Sequence, residues 1–454
     1  MALTTDQVRR AHIALTRFGL GAKPGAIDRI GKDAKAALLA EIDKPDVALI
    51  DRGALPTYAE ACKALDGKFG DAYSIKDREL STRLRKHTMP EIGFVERLVL
   101  FFSNHFSMSI WKTGVVLTTI GQLERDVIRK HVLGNFKSML LGVMKHPAMQ
   151  AYLDNADSIG PNSLDGKAWG VGLNHNLARE ILELHTVGVH AGYTEADIAS
   201  LAAIISGWSY VRGWESDGGY NGGTAANRGQ FIFRPRWHEP GTRRLMGKAY
   251  ASTGMQQGID ALSALALHPS TAQFLAFKLV RHFLTDTPTP TLVNPVAQAY
   301  LKSGGNLKAT VKALIALPYG WSATLKKLRT PYELQVAQMR ALGRRYDPAN
   351  RWPFDATLDA LRHKPWERPT PDGFPDDVPY WMSPDPMRIR LETAQMTSWA
   401  LQQVAPPITV TAPMLAKQLF GTYLSPGSKS AIAHAPDLTD GLATIFMIPE
   451  FQRR

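Results

Sequence analysis

Apolar residues recur at helical spacing along most of the 454-residue chain. Apolar positions three and four residues apart lie on one face of an α-helix, so this spacing predicts helices. A first helix is expected at Thr5 and Asp6, which can cap a segment that carries Val8, Leu15 and Phe18 on one side. Further helices are predicted over 33–42, 92–106, 122–132, 136–145, 194–206, 258–267, 271–283, 307–317, 331–342, 387–404 and 412–420. No alternation of apolar and polar residues exceeds a few positions, which indicates an all-α protein.

Two stretches without this spacing interrupt the helices. Residues 213–247 are rich in Gly, Asn and Trp, and residues 346–385 are rich in Pro, Trp and Asp. We predict long loops at both places, with at most a small β-hairpin at 229–234. Long loops in a compact domain usually serve as lids or binding loops. Their aromatic rings suit either stacking on sugars or anchoring the loops to the body.

The domain organisation predicted from this pattern is simple. We expect one large, irregular multi-helix domain over 1–454. The stretch 213–247 would join two layers of that domain, 1–212 and 248–454.

The segment from Asn174 to Gly188 concentrates polar residues in a helical pattern. On an α-helix, successive residues are about 100° apart, which separates these residues onto two faces. The polar face holds Asn176, Arg179, Glu180 and Glu183, and the apolar face holds Leu177, Ala178, Ile181, Leu182, Leu184 and His185. Polar side chains that converge in this way can share a ligand, a proton or a metal ion. The alternative is an ordinary surface ion pair between Arg179 and Glu183, with His185 in the core.

The spacing of Glu180 and Glu183 suits general acid–base chemistry. One helical turn brings their carboxyl groups to about 5–6 Å, similar to the separation in a retaining glycosidase. Because both side chains leave the same helix in the same direction, a second group must reach the opposite side of a scissile bond. We predict Asp154 as this base or nucleophile, with Asp157 behind it. Glu180 would be the general acid, its pKa raised by Glu183.

Other residues are predicted to bind the substrate or, alternatively, a metal ion. The predicted substrate-binding residues are Asn176, Arg179, His105, His185, Trp208, His238 and Trp381. Imidazole and carboxylate groups also bind zinc, iron or manganese, and the alternative metal ligands are His105, Glu180, Glu183, His185 and His238. The chain has no His-Glu-x-x-His motif, and His185 points away from Glu183 on an ideal helix. We therefore predict no cofactor and keep the metal alternative open.

Composition and short motifs restrict the classes of partner and of catalytic site that the chain can have. The formal net charge is +12, but the basic residues are dispersed and no nucleic-acid-binding motif accompanies them. Cys62 is the only cysteine, which excludes an intramolecular disulfide and a thiolate metal cluster. The chain has no Gly-x-Ser-x-Gly, no phosphate-binding glycine loop, and no apolar run of the ~18 residues that a transmembrane helix needs. The expected partner is a carbohydrate polymer or oligosaccharide, and the oligomeric state stays open.

Several motifs resemble those of one bacterial family. The most specific is Asn-x-Asn-x-Ala-Arg-Glu-x-x-Glu-Leu-His-Thr-x-Gly at 174–188. Others occur at 17–22, 102–106, 146–149, 152–155, 192–197, 207–208, 268–272, 278–279, 282–283 and 449–454. Together they resemble the domain-of-unknown-function 1800 family over nearly the whole chain. The resemblance implies a shared fold and site rather than a chemistry.

The chain departs from the family pattern at two places. His175 stands where the family usually has a glutamate, which argues against a scheme with three acids, and the loop at 371–377 matches only in part. The first ten residues lack the apolar core of a secretory signal, so the chain as given is expected in the cytoplasm. Because many relatives are exported, a removed leader would favour the periplasm instead.

Three functional hypotheses follow. The leading one is a hydrolase or lyase that acts on carbohydrate with the carboxylates of the 174–185 helix as general acid and base. The second is a non-catalytic binding or assembly protein of the cell envelope. The third is a metal-dependent enzyme with His and Glu ligands.

Overall fold

The computed structural model describes residues 2–66, 69–218, 222–345, 352–403 and 408–454. Most of this part is helical, which confirms the all-α class. The helices are α1 (Thr5–Ile13), α2 (Ala26–Ile30), α3 (Ala34–Asp43), α4 (Tyr58–Lys63), α5 (Phe69–Thr88), α6 (Phe94–His105), α7 (Gly114–Gln122), α8 (Arg129–His131), α9 (Phe136–Met144), α10 (Pro147–Tyr152), α11 (Leu164–Trp169), α12 (Asn176–Glu180), α13 (Glu195–Ile205), α14 (Gly213–Gly218), α15 (Met255–Ala266), α16 (Pro269–Phe283), α17 (Pro290–Lys302), α18 (Leu307–Ala316), α19 (Pro331–Ala341), α20 (Trp352–Ala360), α21 (Val378–Trp381), α22 (Pro384–Gln402), α23 (Ala412–Phe420), α24 (Pro426–Ala433), α25 (Leu438–Met447) and α26 (Pro449–Gln452).

Tighter and wider helical turns and four short strands complete the described part of the fold. π-helical turns continue α1, α7 and α12 over Ala14–Phe18, Leu123–Ile128 and Ile181–His185. 3₁₀ turns occupy Ala64–Asp66, Asn155–Asp157, Pro235–Trp237 and Pro318–Trp321. The strands are β1 (Trp208–Tyr210), β2 (Phe231–Phe233), β3 (Arg243–Leu245) and β4 (Lys248–Tyr250).

Polar caps define the ends of several predicted helices. The cap of α1 is Thr4, one residue before the predicted position, and its side chain accepts from the Gln7 N–H at 3.2 Å. The cap of α13 is as predicted: the Thr194 side chain accepts from the Asp197 N–H at 3.2 Å, and Asp197 accepts from the Thr194 N–H at 2.9 Å. This reciprocal pair satisfies two backbone donors that a helix start would otherwise leave unpaired.

The predicted hairpin at 229–234 is wrong. Only β2 lies there, and it pairs antiparallel with β1, about twenty residues earlier, with Ser209 opposite Ile232. The reason is burial, since the Phe231 ring covers the buried Trp208 ring at 5.3 Å. The actual hairpin joins β3 to β4 through Met246 and Gly247, whose φ angles of 47° and 80° suit a two-residue turn.

The sequence predicted one long loop over 346–385, and this prediction is wrong. The stretch contains α20, on which Phe354 and Leu358 are 5% and 0% exposed, and the short α21. Phe354 and Leu358 stand four residues apart and form an apolar face that the Pro- and Trp-rich composition obscured. Residues 346–351 lie outside the described part of the chain.

Segments from both ends of the chain share one core. The buried Arg17 guanidinium donates to the carbonyl oxygens of Gly320 and Ser322 at 2.7 and 2.9 Å. Arg340 donates to the carbonyl oxygen of Gly21 at 3.0 Å. Each guanidinium therefore fixes the start of the chain against its last third. Over the described residues, we find no helix with the length and apolar character needed to cross a bilayer.

Candidate functional site

The polar and apolar faces predicted for 176–185 are confirmed. We call α12 with its π turn, Asn176–His185, the signature helix. Its buried residues are Leu177, Ala178, Ile181, Leu182 and His185, while Arg179, Glu180 and Glu183 are half-buried. The π turn is held in part by the Thr186 hydroxyl, which donates to the Ile181 carbonyl at 2.6 Å. Leu184 is only half-buried, so the apolar face is narrower than predicted.

Arg179 and Glu183 form the predicted ion pair, but it is part of a larger cluster. Their atoms Nη1 and Oε1 are 3.4 Å apart. Arg179 binds more closely to Glu195 of α13, with both its terminal nitrogens at 3.0 and 2.8 Å from the carboxylate oxygens. The Tyr193 hydroxyl also hydrogen-bonds Glu183. Glu183 is therefore paired, and the cluster connects the signature helix to Tyr193 and to Glu195 of α13.

Glu180 differs from its neighbours. It is half-buried and makes no hydrogen bond or ion pair with any residue that the structure describes. Burial, followed by the negative charge of Glu183, raises the pKa of Glu180 to about 7. The Tyr152 hydroxyl lies in the same environment, since burial and then the charge of Glu180 raise the pKa of Tyr152 to about 12. At neutral pH, Glu180 is therefore present in both protonation states.

A second carboxylate acts on Glu180 from a different segment. The charge of Asp372 contributes to the raised pKa of Glu180. Burial alone would raise the pKa of Asp372, but hydrogen bonds from Arg368, at 3.1 and 3.3 Å, and from Thr370 outweigh it and lower that pKa. The predicted second carboxylate, Asp154, instead forms an ion pair with Lys112 at 2.8 Å. Asp372 was not singled out from the sequence.

A cavity of about 370 Å³ lies beside the signature helix. His105, at the end of α6, lines it together with Lys278 of α16. His105 Nε2 is 3.2 Å from the carbonyl oxygen of His185, and its Nδ1 is 3.0 Å from Lys278 Nζ. Because a carbonyl can only accept, Nε2–H donates, and Nδ1 accepts from the ammonium group. Burial, then the charge of Lys278, lowers the pKa of His105 well below its usual range, so the ring is neutral.

The loop over this cavity is fixed by Asn104. Its side-chain amide donates to the carbonyl oxygen of Phe374 at 3.0 Å and accepts from the Phe374 N–H at 2.7 Å. Gly373 next to it has a φ of +82°, and a Cβ there would lie 2.5 Å from the Asn104 carbonyl oxygen. Only glycine fits this approach. The Asn104 side chain thus positions the loop that carries Asp372.

Motifs that are far apart in the sequence meet around this cavity. The cavity is lined by Asn104, His105, Lys278 and residues 372–377. At the end of the signature helix, the His185 carbonyl oxygen accepts from His105. A family model described as "Protein of unknown function (DUF1800)" matches residues 13–453. The chain belongs to this family. Comparison with curated proteins and with solved structures gives no match.

The last of the DUF1800 motifs, at 449–454, ends in a buried network of charged residues at the same cavity. Arg454 lies 2.9 Å from Glu333 and 2.8 Å from Asp376. Arg97 lies 3.1 Å from Glu333, and His282 Nδ1 lies 2.6 Å from Asp376. Burial alone would raise the pKa of Asp376, but the charges of His282 and Lys327 outweigh it and lower that pKa. These acids are fully paired, unlike Glu180.

Four predicted substrate-binding residues of this DUF1800 chain lie in the packed interior, among them His185 of the signature helix, which is 0% exposed. Trp208 is 0% exposed. The buried Trp381 donates its indole N–H to the Pro375 carbonyl oxygen at 2.8 Å. His238 Nδ1 lies 3.1 Å from the Ser206 carbonyl oxygen. Asn176, by contrast, is exposed at the start of the signature helix.

The alternative metal ligands are not brought together. Among the described residues, no group of three or more His, Cys, Asp or Glu side chains is arranged to hold a metal ion. The rings of His105 and His185 are 6.1 Å apart, and His238 packs against Phe233 at 5.4 Å. Glu180 and Glu183 lie on the other face of the signature helix from the buried His185.

Proposed function

We propose that this protein is a carbohydrate-active hydrolase or lyase in which Glu180 transfers the proton. The supporting observation is the contrast between two carboxyl groups that interact electrostatically. Glu180 has a pKa of about 7 and no ion pair within the described part, whereas Arg368 and Thr370 keep Asp372 ionised. Glycoside hydrolases use a pair of carboxyl groups with different pKa values, one as the general acid and the other as the base or nucleophile.

Glu180 and Asp372 also come from separate segments, as a pair that flanks a scissile bond requires. In hydrolysis, protonated Glu180 would donate to the glycosidic oxygen as the bond to it breaks. Ionised Asp372, from a separate segment, would activate water or attack the sugar carbon. We assign this role to Asp372 rather than to Asp154, because Asp154 is paired with Lys112. In a lyase, ionised Glu180 would instead remove a proton from the sugar.

An exposed aromatic ring on the loop that contacts Asp154 favours a saccharide. Trp111 is 63% exposed, and its indole N–H hydrogen-bonds Glu367. The next residue, Lys112, binds Asp154, which lies two positions after Tyr152 beside Glu180. Flat aromatic rings stack on the apolar faces of sugars, so Trp111 is suited to hold a chain that extends from Glu180.

A second candidate is a non-catalytic binding or assembly role in the cell envelope. Its support is the pairing of Arg179 with Glu183 and with Glu195, which connects the signature helix to α13. In that role the polar face would stabilise a binding surface, and Glu180 would transfer no proton.

The test is product release from a broad panel of polysaccharides and oligosaccharides, detected by mass spectrometry. The wild type, Glu180→Gln and Asp372→Asn are compared with Glu195→Gln, which removes an exposed acid close to Arg179. We expect a loss of about 10²–10⁴-fold in kcat for Glu180→Gln, as for other general acids, and little change for Glu195→Gln. An absence of product from the folded wild type across the panel would contradict the enzymatic proposal and favour the binding role.

A further inference from the structure

Two basic side chains of α16 line the cavity and have no acidic ion-pair partner among the described residues. Lys278 and Arg281 stand three residues apart, on one face of the helix. The hydrogen bond of Lys278 goes to the neutral His105 ring, at 3.0 Å. In the part of the chain that the structure describes, Arg281 makes no hydrogen bond or ion pair, and its buried Nε has no partner. Such buried donors are costly unless a ligand or water satisfies them.

The acids around the cavity do not balance these two charges. Glu333 is paired with Arg97 and Arg454, Asp376 with Arg454 and His282, and Asp372 with Arg368. Asp377 is the one lining carboxylate that lacks an ion pair among the described residues. Lys278 and Arg281 together therefore leave one positive charge in excess.

Burial and the charges of both signs around Lys278 set its pKa. Burial lowers the pKa of Lys278 to about 8, the charge of Asp376 opposes this shift, the charge of Arg281 adds to it, and the charge of Asp372 opposes it. An anion bound between the two groups would relieve their repulsion. At neutral pH, Lys278 is still largely protonated and can donate to such an anion.

We propose that this cavity binds the carboxylate of an acidic sugar residue, a uronate, between Lys278 and Arg281. A volume of about 370 Å³ suits a ligand of this size. The planar guanidinium can donate two parallel hydrogen bonds to the carboxylate, and the ammonium adds a third. The identification of the ligand as a sugar rests on the proposed function, whereas the anion site does not.

The position of Asp372 connects this cavity to the site at Glu180. Asp372 lines the cavity and also contributes to the raised pKa of Glu180. A uronate in the cavity would therefore lie next to the bond that Glu180 and Asp372 would cleave. The substrate class that follows is a polysaccharide that contains uronic acid.

The experiment is calorimetric titration of the full chain with galacturonate and glucuronate, with galactose and glucose as neutral counterparts and acetate as a simple carboxylate. We expect the uronates to bind at least tenfold more tightly than the neutral sugars, because only they satisfy both cations. Lys278→Gln and Arg281→Gln should each weaken uronate binding about tenfold or more. Lys302→Gln removes the same charge from α17, away from the cavity, and should change nothing. Asp377→Asn should tighten binding.

The two proposals fail in different ways. Uronates that bind no better than neutral sugars, or that bind Lys278→Gln and Arg281→Gln as tightly as the wild type, would overturn this inference. If a variant does not fold, Arg281→Lys keeps the charge and should retain most of the binding, and loss in that folded variant would also overturn it. Binding of acetate as tight as that of uronates would overturn the sugar assignment. Uronate binding without any polysaccharide product would contradict only the proposed enzyme, and cleavage of neutral saccharides without uronate binding would contradict only this inference.

Discussion

Two glutamates near the cavity have opposite surroundings. Glu333, at the start of α19, is 3% exposed, and its carboxylate binds Arg97 and Arg454. Glu180, on the signature helix, is only half-buried and binds no cation among the described residues, yet its pKa is raised to about 7. Burial alone therefore does not identify a reactive acid. The presence or absence of a partner separates a structural glutamate from one that can exchange its proton.

Of the two glutamates, Glu333 is the one whose replacement should destabilise the protein most. Glu333→Gln removes the charge shared by Arg97 and Arg454, which leaves two buried guanidinium groups without a full partner. Removing one partner of a buried ion pair costs about 3–5 kcal/mol, and we expect a loss of this size in the free energy of unfolding. Chemical denaturation followed by circular dichroism measures it. A change below about 1 kcal/mol, the size typical of exposed pairs, would mean that the network is not structural.

The next effect concerns the loop that carries Asp372. Gly373→Ala would place a Cβ 2.5 Å from the Asn104 carbonyl oxygen in a residue with a φ of +82°. Strain of this kind costs about 1–3 kcal/mol, and we expect a lower unfolding midpoint together with reduced activity.

Gly170→Ala is the matched control for Gly373→Ala. Gly170 has a similar φ of +65° but no atom within 4 Å of an added Cβ. A control that destabilises the protein as much as Gly373→Ala would show that the contact with Asn104 contributes nothing.

The sequence anticipated the signature helix well, because local periodicity determines which side of a helix is buried. The buried positions of Leu177, Ile181 and His185 follow from that periodicity. The influence of Asp372 on the pKa of Glu180 could not be derived in this way, since Asp372 lies 192 positions later. Its approach depends on Asn104 and Gly373, whose contact is tertiary.

Ion pairs between different helices could not be predicted from the sequence either. The i,i+4 pair of Arg179 with Glu183 was predicted, but the closer partner is Glu195 of the next helix. The capping pattern at Thr194 indicated where that helix begins, not how it packs. Trp208 was predicted to bind substrate, whereas it lies in the core. An aromatic residue has the same sequence signal in either place.

A smaller effect is expected for Glu180→Gln, and it depends on pH. Its folded-state pKa is raised to about 7, so the folded protein holds this proton more tightly than the unfolded chain. The raised pKa therefore lowers the free energy of unfolding as the pH rises. This loss of stability is absent below pH ~4.5 and complete above pH ~7. Glu180→Gln removes this loss, and after allowance for solvent screening we expect a gain of about 1 kcal/mol in unfolding free energy at pH 8.

The pH dependence of that gain carries the test. Denaturation curves at pH 4 and pH 8 should show the stabilisation only at pH 8. Equal stability of the wild type and Glu180→Gln at both pH values would contradict a raised pKa of the Glu180 carboxyl group.

The smallest effect is expected at Glu195. Its pair with Arg179 is solvent-exposed, at 76% and 39% side-chain exposure. Exposed ion pairs contribute little, because water and salt screen them. Glu195→Gln should therefore leave the thermal midpoint unchanged, and a clear decrease would mean that the cluster on the signature helix is structural.

The measurement that separates Glu180 most directly from the paired acids needs no substrate. The ¹³C resonances of the glutamate side-chain carboxyl groups are followed by NMR from pH 4 to pH 9, with Glu180→Gln to assign the Glu180 signal. We expect this carboxyl group to titrate with a midpoint near the pKa of about 7 that burial and Glu183 impose. A midpoint near the ordinary glutamate value of about 4.3 would contradict the assignment of Glu180 as the proton-transferring group.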